Sequence, residues 1–305
     1  MTGTSTQTEV IDVAGPWEHR WVAANGARFH VASLGDGPLV LMLHGFPEFW
    51  WAWRHQIEPL AAAGWRVAAM DLRGYGGSDK TPRGYDPATF TADVSGVIKS
   101  LGERSAVLVG HGWGAYVAWA AAAMRPAHVR ALAALSMPHP LVLRSHMLRG
   151  RYVRHLLGNQ VPLAPERRLI ANDAARVEEI LRNWSAPGSD FPDDEASVRY
   201  RRAMSIWPAP HCSLEYQRWA VRSLARAAGR RFALRIAEPL PIDVLAMHGS
   251  ADRVLPPRLA AKSRDHVAGP FRWVRIDGAG HFPHEEAPAH VTDELTDWLT
   301  HLPSE

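Results

Sequence analysis

An α/β fold on a mostly parallel sheet follows from three observations in this 305-residue sequence. Short apolar runs at Leu39–Leu43, Arg66–Met70 and 106–109 alternate with helix-like stretches at 51–63 and 87–101. Buried strands separated by helical crossovers pair in parallel. The strand pattern stops near Pro138, where helical spacing takes over, and it resumes at 242–247 and Phe271–Ile276 before a closing helix at about 287–299. Helices inserted into one sheet domain account for that order: core at 1–137 and 239–305, helical lid at 138–238.

Each element has a local signal. The stretches 17–23 and 28–33 flank Asn25-Gly26, a hairpin turn, and predict an antiparallel pair at one sheet edge. Ala186-Pro187-Gly188 and Trp207-Pro208-Ala209-Pro210 mark loops between helices of the insertion. No repeat or low-complexity segment interrupts the pattern.

Composition narrows the function. A hydrophobic content of 47% supports a sizeable core. The net charge of +3 comes from arginines scattered through stretches such as 144–154 and 199–231. They read as solvated helix faces; without a basic stripe and stacking aromatics, no nucleic-acid partner is expected. The single cysteine, Cys212, excludes an internal disulfide, suits a reducing compartment and reads as a buried bystander. The longest apolar run, 115–124, is about half of the ~20 residues that span a membrane. With no signal-peptide pattern at the start, a cytoplasmic protein with no membrane partner is expected. Oligomeric state has no signal. Thirteen tryptophans, among them Trp50, Trp51, Trp53, Trp65 and Trp113 near the motifs below, and Trp184 and Trp207 in the insertion, point to an aromatic pocket for a small or medium apolar molecule.

The chemistry gathers at loops that follow strands. Gly110-His111-Gly112-Trp113-Gly114 follows a predicted strand and opens a helix, the setting of a nucleophile elbow, a sharp turn whose backbone passes close to its neighbours. It matches neither GxGxxG nor GxxxxGK[ST], which excludes a phosphate loop. Its central residue, Gly112, has no side chain. Asp252 in His248-Gly249-Ser250-Ala251-Asp252 and His281 in Gly278-Ala279-Gly280-His281-Phe282 follow in the order acid then histidine, each just after a predicted strand. The backbone amides of Phe46, in His44-Gly45-Phe46-Pro47, and of Trp113 would form an oxyanion hole. His44 reads as a structural loop residue, and Asp71 as the anchor of its own loop. Histidines and carboxylates do not gather at ligand spacing and no nucleotide fingerprint is present, so neither metal nor cofactor is expected.

Together these motifs are specific. His44-Gly45-Phe46-Pro47-Glu48 with Trp51 and Trp53-Arg54-His55-Gln56, Asp71-Leu72-Arg73-Gly74-Tyr75-Gly76-Gly77-Ser78, Gly110-His111-x-Trp113-Gly114 and Gly280-His281-Phe282 resemble the α/β-hydrolase-fold epoxide hydrolases. The resemblance implies an elbow aspartate that attacks an epoxide carbon and two lid tyrosines that hydrogen-bond the opening oxygen. It also implies an acid-oriented histidine that activates water, with His281 and Asp252 matching that last pair. The other roles depart. Gly112 stands at the nucleophile position. Counting from Asn159-Gln160-Val161-Pro162 and Leu214-Glu215-Tyr216-Gln217-Arg218-Trp219, the tyrosine positions hold His155 and Gln217, with Tyr152 and Tyr216 one shift of register away. Three readings stand: an enzyme rebuilt around His281 as general base, for direct hydration, elimination or cyclisation; an epoxide hydrolase whose aspartate was replaced by design; and a non-catalytic receptor.

Overall fold

A computed structural model describes residues 9–147 and 152–303, with the backbone alone at 152–154. The hairpin forms as expected: β1 (Glu18–Ala24) and β2 (Ala27–Leu34) pair antiparallel across Asn25 and Gly26, both with positive φ. That double left-handed turn matches the twist of the two strands. β3 (Leu39–Leu43), β4 (Arg66–Met70), β5 (Ala106–His111), β6 (Val129–Leu135), β7 (Asp243–Gly249) and β8 (Phe271–Ile276) complete one eight-stranded sheet of order β1-β2-β4-β3-β5-β6-β7-β8. β2 meets β4 antiparallel, and all later pairings are parallel. β3 and β5 at its centre are buried along their whole length, because helices cover both faces.

The flanking helices are α1 (Arg54–Ala62), which follows a 3₁₀ turn at Trp50–Trp53, α2 (Pro87–Ser100) and α3 (Trp113–Met124). Asp86 caps α2 by accepting from the Ala88 and Thr89 amides, with Pro87 preset for the first turn. β6 has no counterpart in the sequence reading. Its VRALAAL stretch is rich in alanine, a helix former, and its burial between β5 and β7 overrides that propensity.

Between β6 and β7 the described residues form helices and loops: α4 (Pro140–His146), α5 (Tyr152–Gly158), α6 (Ala164–Trp184), α7 (Asp194–Ser205), α8 (Ala209–Ser223) and α9 (Ala227–Arg235). α6 breaks at Ala171–Ala174, where three residues adopt positive φ. After β7 come α10 (Pro257–Ala261), α11 (Pro283–Glu286) and α12 (Pro288–Thr300). Two expectations about charge and exposure change. Arg73 and Arg218 are buried rather than solvated, the first paired with Asp93 at 2.6 Å and the second with Glu166 at 2.7 Å. Trp207 is 62% exposed. Cys212 is buried. Among the described residues no helix is long and apolar enough to cross a membrane.

Candidate active site

The parallel order brings the ends of β5, β7 and β8 to one edge of the sheet, where an α/β fold places its ligand crevice. At the end of β5 the chain turns into α3 through Gly112, with φ +50° and ψ −122°. A side chain in that conformation is strained, and glycine adopts it freely. Gly114 is required for a different reason. A Cβ there would lie 2.1 Å from the Leu43 carbonyl oxygen, so the helix could not approach β3.

His281 and Asp252 meet as expected. His281 Nδ1 lies 2.9 Å from Asp252 Oδ2, and the same oxygen is 2.8 Å from His248 Nε2. The other carboxylate oxygen accepts from the Val254 and Leu255 amides at 2.6 and 3.0 Å. Burial alone would raise the Asp252 pKa. The charges of His281 and His248 and the hydrogen bonds they donate outweigh it and hold the carboxyl below the ordinary range. An ionised Asp252 fixes the Nδ1–H tautomer of His281 and turns Nε2 toward the elbow. A Cβ built on Gly112 would sit 3.7 Å from that Nε2 and 3.6 Å from Gly45 Cα, ordinary contacts. The two residues therefore face each other across room for a side chain.

The loop after β3 closes the other side. The amides of Phe46 and Trp113 have no hydrogen-bond acceptor among the described residues. His44 is buried and neutral: burial lowers its pKa, Nε2 accepts from the Leu72 amide at 3.1 Å, and Nδ1 is 2.8 Å from the Gly45 carbonyl. Asp71 anchors its loop, accepting from His30 Nδ1 and the Trp50 and Gly77 amides.

His155 and Trp184 of the insertion reach this crevice, with Gln217 behind them. His155 on α5 has its ring 6.1 Å from Phe46 and 5.0 Å from Trp184, and Trp184 meets the His281 ring edge-on at 5.2 Å. Asn159 Nδ2 bridges His155 Nε2 at 3.2 Å and Gln217 Oε1 at 2.8 Å. Burial and then the charge of Arg176 pull the His155 pKa down to about 4, so the ring is neutral near pH 7. Gln217 is buried, and its Nε2 has no partner among the described residues. A cavity of about 540 Å³ lies beside this crevice, lined by Phe46, His155, Asn159, Arg168, Arg176 and Ile180, among others; it shares Phe46 and His155 with the site, and His281, Asp252 and Gly112 do not line it. Its wall is more polar than the tryptophan count suggests.

Two expected pocket residues belong elsewhere. Tyr216 donates its hydroxyl to the Arg73 carbonyl at 2.9 Å and packs on Tyr75, Tyr85 and Phe90. Trp51 lies between Arg54, 3.6 Å from the ring centroid, and Arg199, 5.0 Å away, in the seam between α1 and α7. The side chain of Tyr152 lies outside the described residues.

The reading of the sequence missed the groups beneath the site. Glu48 Oε2 accepts from the Gly45 amide at 2.9 Å and lies 2.7 Å from His111 Nδ1, while its Oε1 is 3.0 Å from His284 Nε2. His111 Nε2 reaches the His281 carbonyl at 2.8 Å. Both His111 nitrogens therefore face acceptors, which requires an imidazolium. Burial opposes that charge, but the Glu48 carboxylate outweighs it and raises the His111 pKa. Glu286 accepts from the Gly280, Phe282 and Ala186 amides at 3.0, 3.0 and 2.7 Å and so clamps the His281 loop to the insertion. Glu48 stands in a motif already singled out, but its spacing gives no sign of its partners.

The family model described as the alpha/beta hydrolase fold matches residues 38–288. An AB hydrolase superfamily protein, YfhM of Bacillus subtilis, is 33% identical over 92% of this chain and 97% of its own length. Epoxide hydrolase A of Mycobacterium tuberculosis is 32% identical over 93% of this chain and 97% of its own. Among solved structures, epoxide hydrolase A from Mycobacterium thermoresistibile superposes with a TM-score of 0.79 at 29% identity, covering 95% of this chain and all of the other. A putative alpha/beta hydrolase from Nostoc gives 0.84 at 26% identity over 93% of this chain and 98% of the other. Sheet order, elbow, Asp–His pair and these relatives agree: the chain belongs to the alpha/beta hydrolase fold family, and its homologues include epoxide hydrolases.

Proposed function

We propose that this chain is an epoxide-hydrolase-like enzyme that works without a covalent nucleophile and uses His281, oriented by Asp252, as a general base. The observation that carries the reading is the room between Gly112 and His281 Nε2. A carboxylate there would form an ester with substrate; a glycine leaves the space for water or for a substrate C–H or O–H group within reach of the base. The Phe46 and Trp113 amides then receive the negative charge that develops. Helices α4 to α9 act as the lid.

The lid residues support base chemistry over epoxide opening. A neutral His155 and the Gln217 amide can hydrogen-bond a carbonyl or hydroxyl oxygen, but neither is acidic enough near pH 7 to protonate an opening ring. Hydration, elimination and cyclisation remain within the pair's reach. 5-Nitrobenzisoxazole tests the base directly: the base takes the ring carbon's proton, the C–H electrons form a nitrile, and the N–O bond breaks to release a coloured phenolate. Turnover should fall on the order of 10²–10⁴-fold in His281→Ala. Equal turnover by the wild type and the variant would remove His281 from the mechanism.

A further inference from the structure

Two clusters of three metal-capable side chains form among the described residues, Glu48–His111–His284 beneath the site and Asp12–His19–His30 near the sheet edge. They differ in where their lone pairs point. In the first, both His111 nitrogens meet protein acceptors and His284 reaches Glu48, so protons hold the group together. In the second, His30 Nδ1 is 2.9 Å from Asp71 Oδ2, and His19 Nε2 is 3.0 Å from the Val13 carbonyl. Both of those partners only accept, so each outer nitrogen carries its ring's proton. The inner nitrogens, His19 Nδ1 and His30 Nε2, face each other at 3.0 Å. Asp12 Oδ1 lies 3.9 Å from His30 Nε2, is buried, and has no hydrogen-bond partner among the described residues. With neutral rings, three lone-pair atoms converge and no donor stands among them.

We propose that Asp12, His19 and His30 bind a divalent transition-metal ion of the zinc class. Two imidazoles and a carboxylate suit that ion, with bonds of about 2.0–2.2 Å. The ligand atoms all lie within 4.8 Å of one another, so small side-chain rotations bring them to one centre. The outer contacts have the form expected around such a site, since a metal-bound histidine donates its other N–H to a carboxylate or a carbonyl. Asp12 and His19 are only partly buried, which gives an ion entry and leaves a position for water. The ion would join the segment before β1 to the Asp71 loop. Trp50 already links the same two parts, donating its indole N–H to the Ile11 carbonyl and its amide to Asp71.

The test uses the whole chain without a histidine tag, stripped with a chelator, dialysed and titrated calorimetrically with zinc chloride. One ion per chain is expected, with affinity lowered at least about tenfold in His19→Ala and in Asp12→Asn. Zinc should also raise the melting temperature of the wild type by a few degrees and that of His19→Ala by less. If His19→Ala does not fold, the partly exposed Asp12→Asn carries the comparison. Binding that is unchanged in the variants places the ion on other histidines and overturns the assignment. So does the absence of zinc uptake.

Discussion

His281 Nε2 faces Gly112 across 3.7 Å to the point where a Cβ would stand. The space accepts a side chain, but the backbone resists one: at φ +50° a non-glycine residue costs about 1–3 kcal/mol. Gly112→Asp is therefore expected to fold with a melting temperature lower by a few degrees and to hydrolyse styrene oxide no faster than the wild type, because His155 and Gln217 cannot donate as phenols do. Robust epoxide turnover by this variant would mean that the rest of an epoxide hydrolase is intact, and would sink the rebuilt-site reading.

Asp252→Asn should separate orientation from binding. The amide keeps the shape but presents no carboxylate to His281 Nδ1, so the ring loses its fixed tautomer. Turnover of the benzisoxazole probe is expected to drop on the order of 10³-fold, with KM little changed. Stability carries a second signature. Because the folded carboxyl is held below its unfolded value of about 3.9, its contribution is full above that pH and disappears as the pH falls through the folded value. Acid melts of the wild type and the variant should converge at the low end and diverge above pH ~4. Parallel curves throughout would deny the Asp252 carboxylate any part in stability.

Glu48 and His111 make the opposite-signed partner of that argument. Glu48 is held well below its ordinary range: burial would raise its pKa, but His111 and His284 outweigh it. Its share of stability is present above about pH 4.5 and is lost in acid. His111 is raised, so its share is full below about pH 6.5 and is lost as the pH climbs through its folded value. The pair therefore stabilises most between those limits. Glu48→Gln leaves a buried imidazolium without a counter-charge and should cost about 3–5 kcal/mol near pH 6, with a smaller loss at pH 9. A loss that does not change with pH would show that His111 is neutral.

The strands with continuous apolar runs, the hairpin at Asn25-Gly26 and the loops bearing Asp252 and His281 were legible because each signal is local. β6 was not, since its alanines look helical until β5 and β7 flank it. Glu48, His111 and His284 converge from a loop, the end of β5 and the short helix α11, and no spacing along the chain encodes that meeting. The same holds for Asp12, His19 and His30, which stand before β1, on β1 and on β2. Trp51 and Trp207 mislead for the converse reason: a tryptophan has the same letter whether it lines a pocket, stacks between two arginines or stands in solvent.

The register of the lid turns on one step along α8. Neighbouring residues on a helix point about 100° apart, so Tyr216 and Gln217 cannot both face the crevice. Tyr216 is committed to the Arg73 carbonyl, and Gln217 is tied through Asn159 to His155. Tyr216→Phe should therefore cost about 1 kcal/mol of stability for one lost hydrogen bond and leave probe turnover unchanged. Gln217→Ala removes a buried amide whose oxygen is bonded to Asn159 and whose nitrogen has no partner among the described residues. It should raise KM or lower kcat for the probe several-fold and, because the side chain is buried and bonded to Asn159, also lower the melting temperature by a few degrees. The reverse pattern, with Tyr216→Phe inactive and Gln217→Ala unaffected, would show that the phenol turns into the crevice during turnover and would restore an acid to the lid.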